Sequence, residues 1–312
     1  MGILYNVPSA TVWGIGIFVL FALMAFNEFG RTTKWGGLVL FLVVPVFMTI
    51  FVWPKTNAFG NEYGTGTWFT WVKTYSALAG ALGFMAIRFI PGLAQNKWAL
   101  RFPPFILALN ILEACIRDFQ VFSFGFWNGG YSDNLWLMSG PWNIMNGIAG
   151  LLNIITICGW AGIFVSKDSS KDMIWPDMIW AWVIAYDLWN FTYVYNCLPT
   201  HSWYAGFALL FAATLCAFTL GKGAWLQHRA ATLAIWCMFA QTFPKFLDQG
   251  ATMVVSTYNT AIYTFWGALS LASNVAVLLY MIYRVIKTKR NPYLGELYTD
   301  LKAYKAIKAL AE

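Results

Sequence analysis

Residues 103–124 read PPFILALNILEACIRDFQVFSF, a predominantly apolar run. A helix that crosses a membrane needs about 20 such residues, and this run is long enough. At 100° per residue its polar side chains fall on one narrow face, formed by Asn110, Glu113, Arg117 and Gln120. Because lipid offers these groups no hydrogen-bonding partner, we predict a membrane-spanning helix that turns this face toward other helices.

The composition of the whole chain is also typical of a membrane protein. Hydrophobic residues make up 59% of the 312 residues and charged residues only 11%, whereas soluble domains carry about 25% charged residues. Further apolar runs predict an all-α, polytopic membrane helix bundle with about nine transmembrane helices. The predicted spans are 10–28, 35–53, 68–90, 103–124, 141–165, 174–197, 202–220, 227–248 and 258–286.

The Lys and Arg residues predict the topology of this bundle. Sixteen of the twenty fall in alternate loops or in the C-terminal tail, as expected for cytoplasmic segments. We therefore predict an outside N-terminus and a cytoplasmic C-terminus, and the net charge of +7 gives no sign of nucleic-acid binding. One exception, Lys55, lies in an outer loop. The other three, Lys73, Arg117 and Lys245, lie within spans, where each costs about 2.5–3.5 kcal/mol and so marks a functional region.

Polar side chains line up on single faces of several other predicted spans. With the predicted topology, these faces converge on the outer half of the bundle. We therefore predict one aromatic-lined cavity that opens to the outside and binds a small-molecule solute. Its candidate substrate-binding residues are Asp187, Asn190, Lys245, Gln241, Glu113, Arg117, Lys73, Asn146, Tyr186 and Tyr193.

Several of these residues also allow a purely structural interpretation. Lys73 is near enough to the outer end of its span to reach the lipid headgroups. Glu113 and Arg117 are spaced to form an i,i+4 ion pair, and Lys245 is one turn from Asp248. These alternatives remain open at the level of the sequence.

Asp187 is the strongest single candidate, because its own helix offers it no basic neighbour. It must find a partner on another helix, bind water, or remain protonated. We predict that it is the main ionic contact for the solute or the group that carries a coupling proton.

The chain divides into a membrane-embedded bundle, residues 1–291, and a cytoplasmic tail, residues 292–312. Leu and Tyr residues alternate with Lys residues at helical spacing in the tail. This pattern predicts a short amphipathic helix on the inner leaflet, with a solvated tail as the alternative.

The five cysteines all lie in or near the ends of predicted spans, so we expect buried free thiols. The sequence has no nucleotide-binding, metalloprotease, serine-hydrolase or zinc motif. We therefore predict no cofactor and no metal, and we assign no catalytic residue. The lipid bilayer is the expected partner, and the oligomeric state is not determined.

Two segments carry a resemblance to a known family: AYDLWNFTYVYNCLPTHSWYAG at residues 185–206 and FNEFGRTTKWGG at residues 26–37. On these, the chain resembles an uncharacterised bacterial family of multi-span membrane proteins, described only as a domain of unknown function. The resemblance implies a location in the bacterial plasma (inner) membrane. It transfers no function and no site residue.

Three functions fit the sequence. The first is a transporter or permease for a small polar solute, zwitterionic or cationic, held by Asp187 and aromatic rings. The second is a membrane enzyme acting on a lipid or lipid-linked substrate, with Asp187, Glu113 and Lys245 as acid and base groups. The third is a chromophore-bearing or ligand-sensing receptor in which Lys245 forms a Schiff base opposite Asp187 or Asp248. The transporter is the leading interpretation.

Overall fold

The computed structural model describes residues 3–6, 10–58, 68–160 and 162–311. Nine long helical segments dominate these residues. They are α1 (Ala10–Thr32), α2 (Lys34–Phe51), α3 (Trp68–Phe89), α4 (Phe102–Ser123), α5 (Pro141–Ile155), α6 (Trp180–Cys197), α7 (Ser202–Thr219), α8 (Trp225–Thr242) and α9 (Thr260–Thr288).

Two of these segments are not regular α-helices throughout. The wider π-helical turn occupies Val39–Val43 in α2 and Ser202–Ala208 in α7. Short helices occupy the connections and the tail: Trp53–Thr56, Leu93–Gln95, Ala99–Arg101, Pro244–Asp248, Gly250–Thr252 and Lys302–Lys308.

Three small antiparallel sheets lie at the ends of the bundle. They pair β1 (Tyr5–Asn6) with β6 (Val255–Ser256), β2 (Gly130–Ser132) with β3 (Leu135–Leu137), and β4 (Phe164–Val165) with β5 (Met173–Ile174). We call the end that carries the β2–β3 hairpin the hairpin end. The opposite end, where residues 291–311 lie, is the tail end.

Several helices are long and apolar enough to cross a membrane. Five segments meet this condition: α1, α2, α4 with its preceding turn, α7 and α9. The other long helices carry more polar residues, and the extent to which neighbouring helices cover them varies. In α8, 14 of 18 residues are buried, compared with 7 of 29 in α9, so α8 occupies the centre of the bundle and α9 its surface.

The packing follows this division. The central helix α8 packs against α3, α7 and α1, whereas α5 lies between α4 and α9. The helix α6 packs against α5, α9 and the π-helical start of α7. Polar faces of α3, α4, α6 and α8 are therefore enclosed by helices, as lipid exclusion requires.

Several predicted span boundaries differ from the structure: the helix of the eighth predicted span, 227–248, ends at Thr242 and is followed by the separate short helix Pro244–Asp248. The fifth predicted span, 141–165, contains a helix only as far as Ile155, and the sixth, 174–197, becomes helical only at Trp180. The backbone turns at Gly159, which has φ +66° and whose N–H donates to the Pro292 carbonyl oxygen at 2.7 Å. The residues between the two helices are therefore not helical. They contact the tail or form the β4–β5 hairpin.

The tail contacts the rest of the protein through several residues, and it contains a short helix, Lys302–Lys308, within the segment where the sequence predicts one. The backbone N–H groups of Leu297 and Tyr298 donate to the Asp177 carboxylate at 2.8 and 2.9 Å. Leu297 and Tyr304 are buried, and the Lys308 ammonium lies 3.1 Å from the centroid of the Phe164 ring. Leu297 and Tyr304 of the predicted apolar face are therefore buried against the protein, whereas Leu294 is exposed. Contact of the tail helix with the inner leaflet stays a prediction.

A network of charged groups joins the loop before β5 to three helices at the tail end. The Asp172 carboxylate accepts from Arg31 Nη1 of α1 at 2.7 Å and from Gln227 Nε2 of α8 at 2.8 Å. Arg88 of α3 donates to the carbonyl oxygens of Arg31 and Lys171 at 2.6 and 2.8 Å. Because these charges are paired and hydrogen-bonded, they hold the tail end of the bundle together.

Candidate functional site

A cavity of about 90 Å³ lies among α3, α4, α6, α7 and α8, toward the hairpin end. This volume has room for several water molecules or for a small organic solute. Its walls are mainly aliphatic and aromatic. Among the described residues, the charged side chains that line it are the cations Lys73, Arg117 and Arg229 and the acid Asp133.

Lys73 is held by the neighbouring helix. Its Nζ donates to the Asn110 carbonyl oxygen at 2.9 Å and lies 3.4 Å from Glu113 Oε2. The Lys73 side chain is only 14% exposed, so the ion pair joins α3 to α4 within the bundle. The alternative in which Lys73 extends to the headgroups is therefore wrong.

Arg117 points toward the hairpin end of the cavity. Its Nη2 lies 3.0 Å from Asp133 Oδ2, and its Nη1 donates to Gln120 Oε1 at 2.8 Å. Asp133 belongs to the tight turn between β2 and β3, where its backbone has φ +54°. Arg117 and Glu113 therefore pair with residues on other elements and not with each other.

Arg229 differs from the other two cations because it has no acidic partner. Its Nε lies 3.3 Å from the Tyr186 hydroxyl and its Nη2 lies 3.4 Å from Asn190 Oδ1, both neutral acceptors. Nη1 is buried without a hydrogen bond, and no carboxylate of the described residues lies within 4 Å of the guanidinium. Arg229 itself is 4% exposed. The Asp187 carboxyl interacts with Arg229 electrostatically, but at more than 4 Å. A buried cation without a counter-charge in contact is costly, so this site favours an anion.

The sequence did not identify Arg229, because it was assigned to a cytoplasmic loop. A signal was nevertheless present, since residue 229 falls inside the predicted span 227–248. Leu233, Trp236 and Ala240 follow it at helical spacing and line the same cavity. A charge at the start of that apolar face indicates an inward-facing position.

A second, smaller cavity of about 30 Å³ continues toward the tail end. It is lined by Tyr186, Gly80 and Leu226, and it shares Arg229 and Leu233 with the first cavity. Arg229 therefore lies where the two spaces meet.

The structure brings some of the sequence-predicted residues to the main cavity and leaves others elsewhere. Lys73, Arg117, Asn190 and Tyr193 line it. The remaining six do not: Glu113 contacts Lys73, Tyr186 contacts Arg229, and Asn146, Asp187, Gln241 and Lys245 lie outside its lining.

Each of the residues outside the lining has its own surroundings. Asp187 Oδ2 accepts from the Thr214 hydroxyl of α7 at 2.7 Å, and Gln241 Oε1 accepts from Asn57 Nδ2 at 2.6 Å. Lys245 lies in the short helix Pro244–Asp248, in a separate groove. Residues predicted to share one polar face therefore contact different partners, and Lys245 lies beyond the end of α8 at Thr242.

A further polar cluster joins α4, α5, α6 and α9. The Asp118 carboxyl accepts from Asn146 Nδ2 at 2.7 Å and from Cys197 Sγ at 3.2 Å. Asn146 Oδ1 accepts from the Ser270 hydroxyl of α9 at 2.7 Å. Asp118 is fully buried, so these neutral donors form most of its polar environment.

The chemistry that this arrangement offers is ionic binding. Among the described residues, no group of three or more His, Cys, Asp or Glu side chains is placed to hold a metal ion. The acid and base groups of the enzyme hypothesis, Asp187, Glu113 and Lys245, lie on separate elements with separate contacts. The five cysteines are buried and free, as the sequence predicted.

Comparison with known proteins identifies the family of the chain. A model for a family of unknown function, DUF5692, matches residues 7–310, so the chain belongs to this family. This confirms the resemblance drawn from the sequence, and it assigns no function. Comparisons with curated proteins and with solved structures gave no match.

Proposed function

We propose that this protein is a transporter or permease of the plasma membrane that binds a small organic anion, or a zwitterion through its carboxylate. The observation that carries the proposal is Arg229, a buried cation on the cavity wall with no acidic partner among the described residues. A carboxylate in the cavity would supply the missing charge and accept from Nη1.

The charges around the cavity favour an anionic group over the cation predicted from the sequence. That prediction placed Asp187 in the cavity, but Asp187 contacts Thr214 instead. Three cations and one acid line the space, and Glu113 next to it neutralises Lys73. A zwitterion remains compatible, because Asp133, which pairs with Arg117 through Oδ2, is 35% exposed and can accept from an ammonium group as well.

The walls of the cavity suggest the rest of the solute. Phe69, Tyr193 and Trp236 line it together with aliphatic side chains. Such walls suit a compact apolar or aromatic body attached to the carboxylate. A cavity of about 90 Å³ excludes a large substrate such as an intact lipid.

The membrane arrangement is part of the proposal. We propose that all nine long helices cross the bilayer, with the hairpin end outside and the tail in the cytoplasm of a bacterial cell. The distribution of Lys and Arg supports this orientation. The main cavity then faces outward, and the smaller cavity beyond Arg229 marks the direction of movement toward the cytoplasm.

A binding screen tests this function. Purified protein is heated with pools of small carboxylates, amino acids and organic amines, and a ligand is recognised by a rise in thermal stability. We expect the ligands to carry a carboxylate. The variant Arg229→Met should lose the shift, because charge-assisted hydrogen bonds to a guanidinium contribute about 1.5–3 kcal/mol each.

The matched control is Arg101→Met, which removes an exposed arginine stacked on Trp98 outside the cavity. It should retain the shift. Uptake of the identified ligand into proteoliposomes then separates transport from binding alone. Ligands restricted to amines, or binding that survives Arg229→Met, would contradict the proposal.

A further inference from the structure

A buried carboxyl lies directly behind one wall of the cavity. Asp118 follows Arg117 in α4, and it contacts Cys197 of α6, which sits between the cavity-lining residues Val194 and Leu198. Asp118 is 0% exposed. The anion cavity and this carboxyl therefore share two helix segments.

Asp118 is surrounded by neutral donors. Asn146 Nδ2 donates to Oδ2 at 2.7 Å, and Cys197 Sγ lies 3.2 Å from Oδ1. No Lys, Arg or His nitrogen of the described residues lies within 4 Å of the carboxyl. An ionised carboxylate in such a place would bear a desolvation penalty of several kcal/mol without a counter-charge.

The neighbouring titratable and charged groups do not remove this imbalance. Arg117 is committed to Asp133 and Gln120. On α5 the facing side chains are the amides of Asn143 and Asn146, and on α9 the hydroxyl of Ser270. The other titratable groups nearby become charged only as anions: Glu113 and Cys115 on α4, Tyr193 and Cys197 on α6, and Tyr263 on α9.

We infer that Asp118 is a proton-binding site that couples to the anion cavity, so that one proton moves with one solute anion. This inference rests on the proposed function. The solute and the proton enter together from the hairpin end and leave together at the tail end, so a monoanion and its proton carry no net charge. No covalent bond of the solute forms or breaks.

The ligand chemistry at Asp118 favours a proton over a metal cation. Hard cations such as Na⁺ require several oxygen ligands. The atoms that face the carboxyl are an amide nitrogen and a thiol sulfur. A protonated carboxyl needs only one acceptor, and the hydrogen bond to Cys197 can reverse so that the carboxyl donates to the sulfur.

The first test examines the protein without solute. Infrared spectra of the parent at neutral pH should contain a protonated-carboxyl band that Asp118→Asn lacks. Asp168→Asn, which changes an exposed loop residue, is the control and should retain the band. An unchanged band in a folded Asp118→Asn protein would overturn the inference.

The second test measures coupling in proteoliposomes with a carboxylate identified by the binding screen. When the anion is added to the parent in weak buffer, the protein should take up about one proton per anion bound. A proton gradient directed into the vesicles should drive accumulation of the anion. Asp118→Asn should still bind the anion but lose both effects. Accumulation by Asp118→Asn equal to the parent, or accumulation driven by a Na⁺ gradient alone, would overturn the inference.

The two proposals fail in different ways. If no anion stabilises the parent, the proposed function is wrong, while the infrared band still reports on Asp118. If Asp118→Asn does not fold, the parent alone decides, because a carboxyl band that is absent at neutral pH and insensitive to the anion contradicts a proton site.

Discussion

Replacement of Arg229 by methionine should raise the stability of the solute-free protein while it abolishes binding of the anion. If Arg229 had a structural role, its replacement would lower the stability of the solute-free protein. Methionine has a similar length and carries no charge, so the substitution isolates the guanidinium.

The magnitude follows from the contacts of the guanidinium. Its two hydrogen bonds, at 3.3 and 3.4 Å, are long, and it lies 5.9 Å from the centroid of the Tyr186 ring. Together these interactions contribute about 2–3 kcal/mol. Burial of a guanidinium with no acid in contact opposes them by several kcal/mol. We therefore expect Arg229→Met to increase the free energy of unfolding by about 1–3 kcal/mol.

The assay is thermal unfolding in detergent without added solute, followed by intrinsic fluorescence. Arg101→Met serves as the control and should change the free energy of unfolding by less than about 0.5 kcal/mol. A melting temperature of Arg229→Met clearly below that of the parent would refute the reasoning. It would mean that the cation is compensated within the protein.

Three further predictions concern stability, each read from thermal unfolding. Glu113→Gln should lower the free energy of unfolding by about 3–5 kcal/mol, because it leaves buried Lys73 without its acid. The double variant Glu113→Gln, Lys73→Met should recover most of this loss, and no recovery would contradict the ion pair. Gly150→Ala should destabilise the protein, since the new Cβ overlaps Cys115 Sγ and Trp189 Nε1; an unchanged melting temperature would contradict this packing. Burial raises the pKa of the Asp177 carboxyl from 3.8 to about 6, so the parent should gain stability relative to Asp177→Asn as the pH falls from about 6 to 4, by up to about 3 kcal/mol. A pH-independent difference would contradict that assignment.

The direction of the Asp177 effect follows from proton binding. Between pH 3.8 and about 6 the folded protein holds a proton that the unfolded chain has released. Stability is therefore greatest at the acid end of this window and is lost as the pH rises through the folded pKa. The amide in the Asp177→Asn variant cannot titrate, so the difference between variant and parent reports this group alone.

Helix positions could be predicted from the sequence because long apolar runs with few charges mark most of the helices. Helices lie at the positions of all nine predicted spans among the described residues, and five are apolar enough to cross a membrane by themselves. The ends of α5 and α6 could not be predicted. They depend on a tail contact, Gly159 with Pro292, more than a hundred residues apart in sequence.

The candidate site was only partly predictable, for a related physical reason. Helical spacing places Asn190 and Asp187 on one helix, but it does not say which neighbour each faces. Asn190 turns to Arg229, and Asp187 turns to Thr214 of α7. Which neighbouring helix a polar side chain contacts depends on how the helices rotate and pack together. The spacing of residues along one helix does not determine this.

A matched pair of ligands tests most directly whether a carboxylate binds at Arg229. Calorimetric titration compares a carboxylate found in the screen with its neutral amide, which has nearly the same shape. We expect the parent to bind the carboxylate at least tenfold more tightly, equivalent to about 1.4 kcal/mol, and Arg229→Met to lose this preference. Equal affinity of the parent for the acid and the amide would contradict the account.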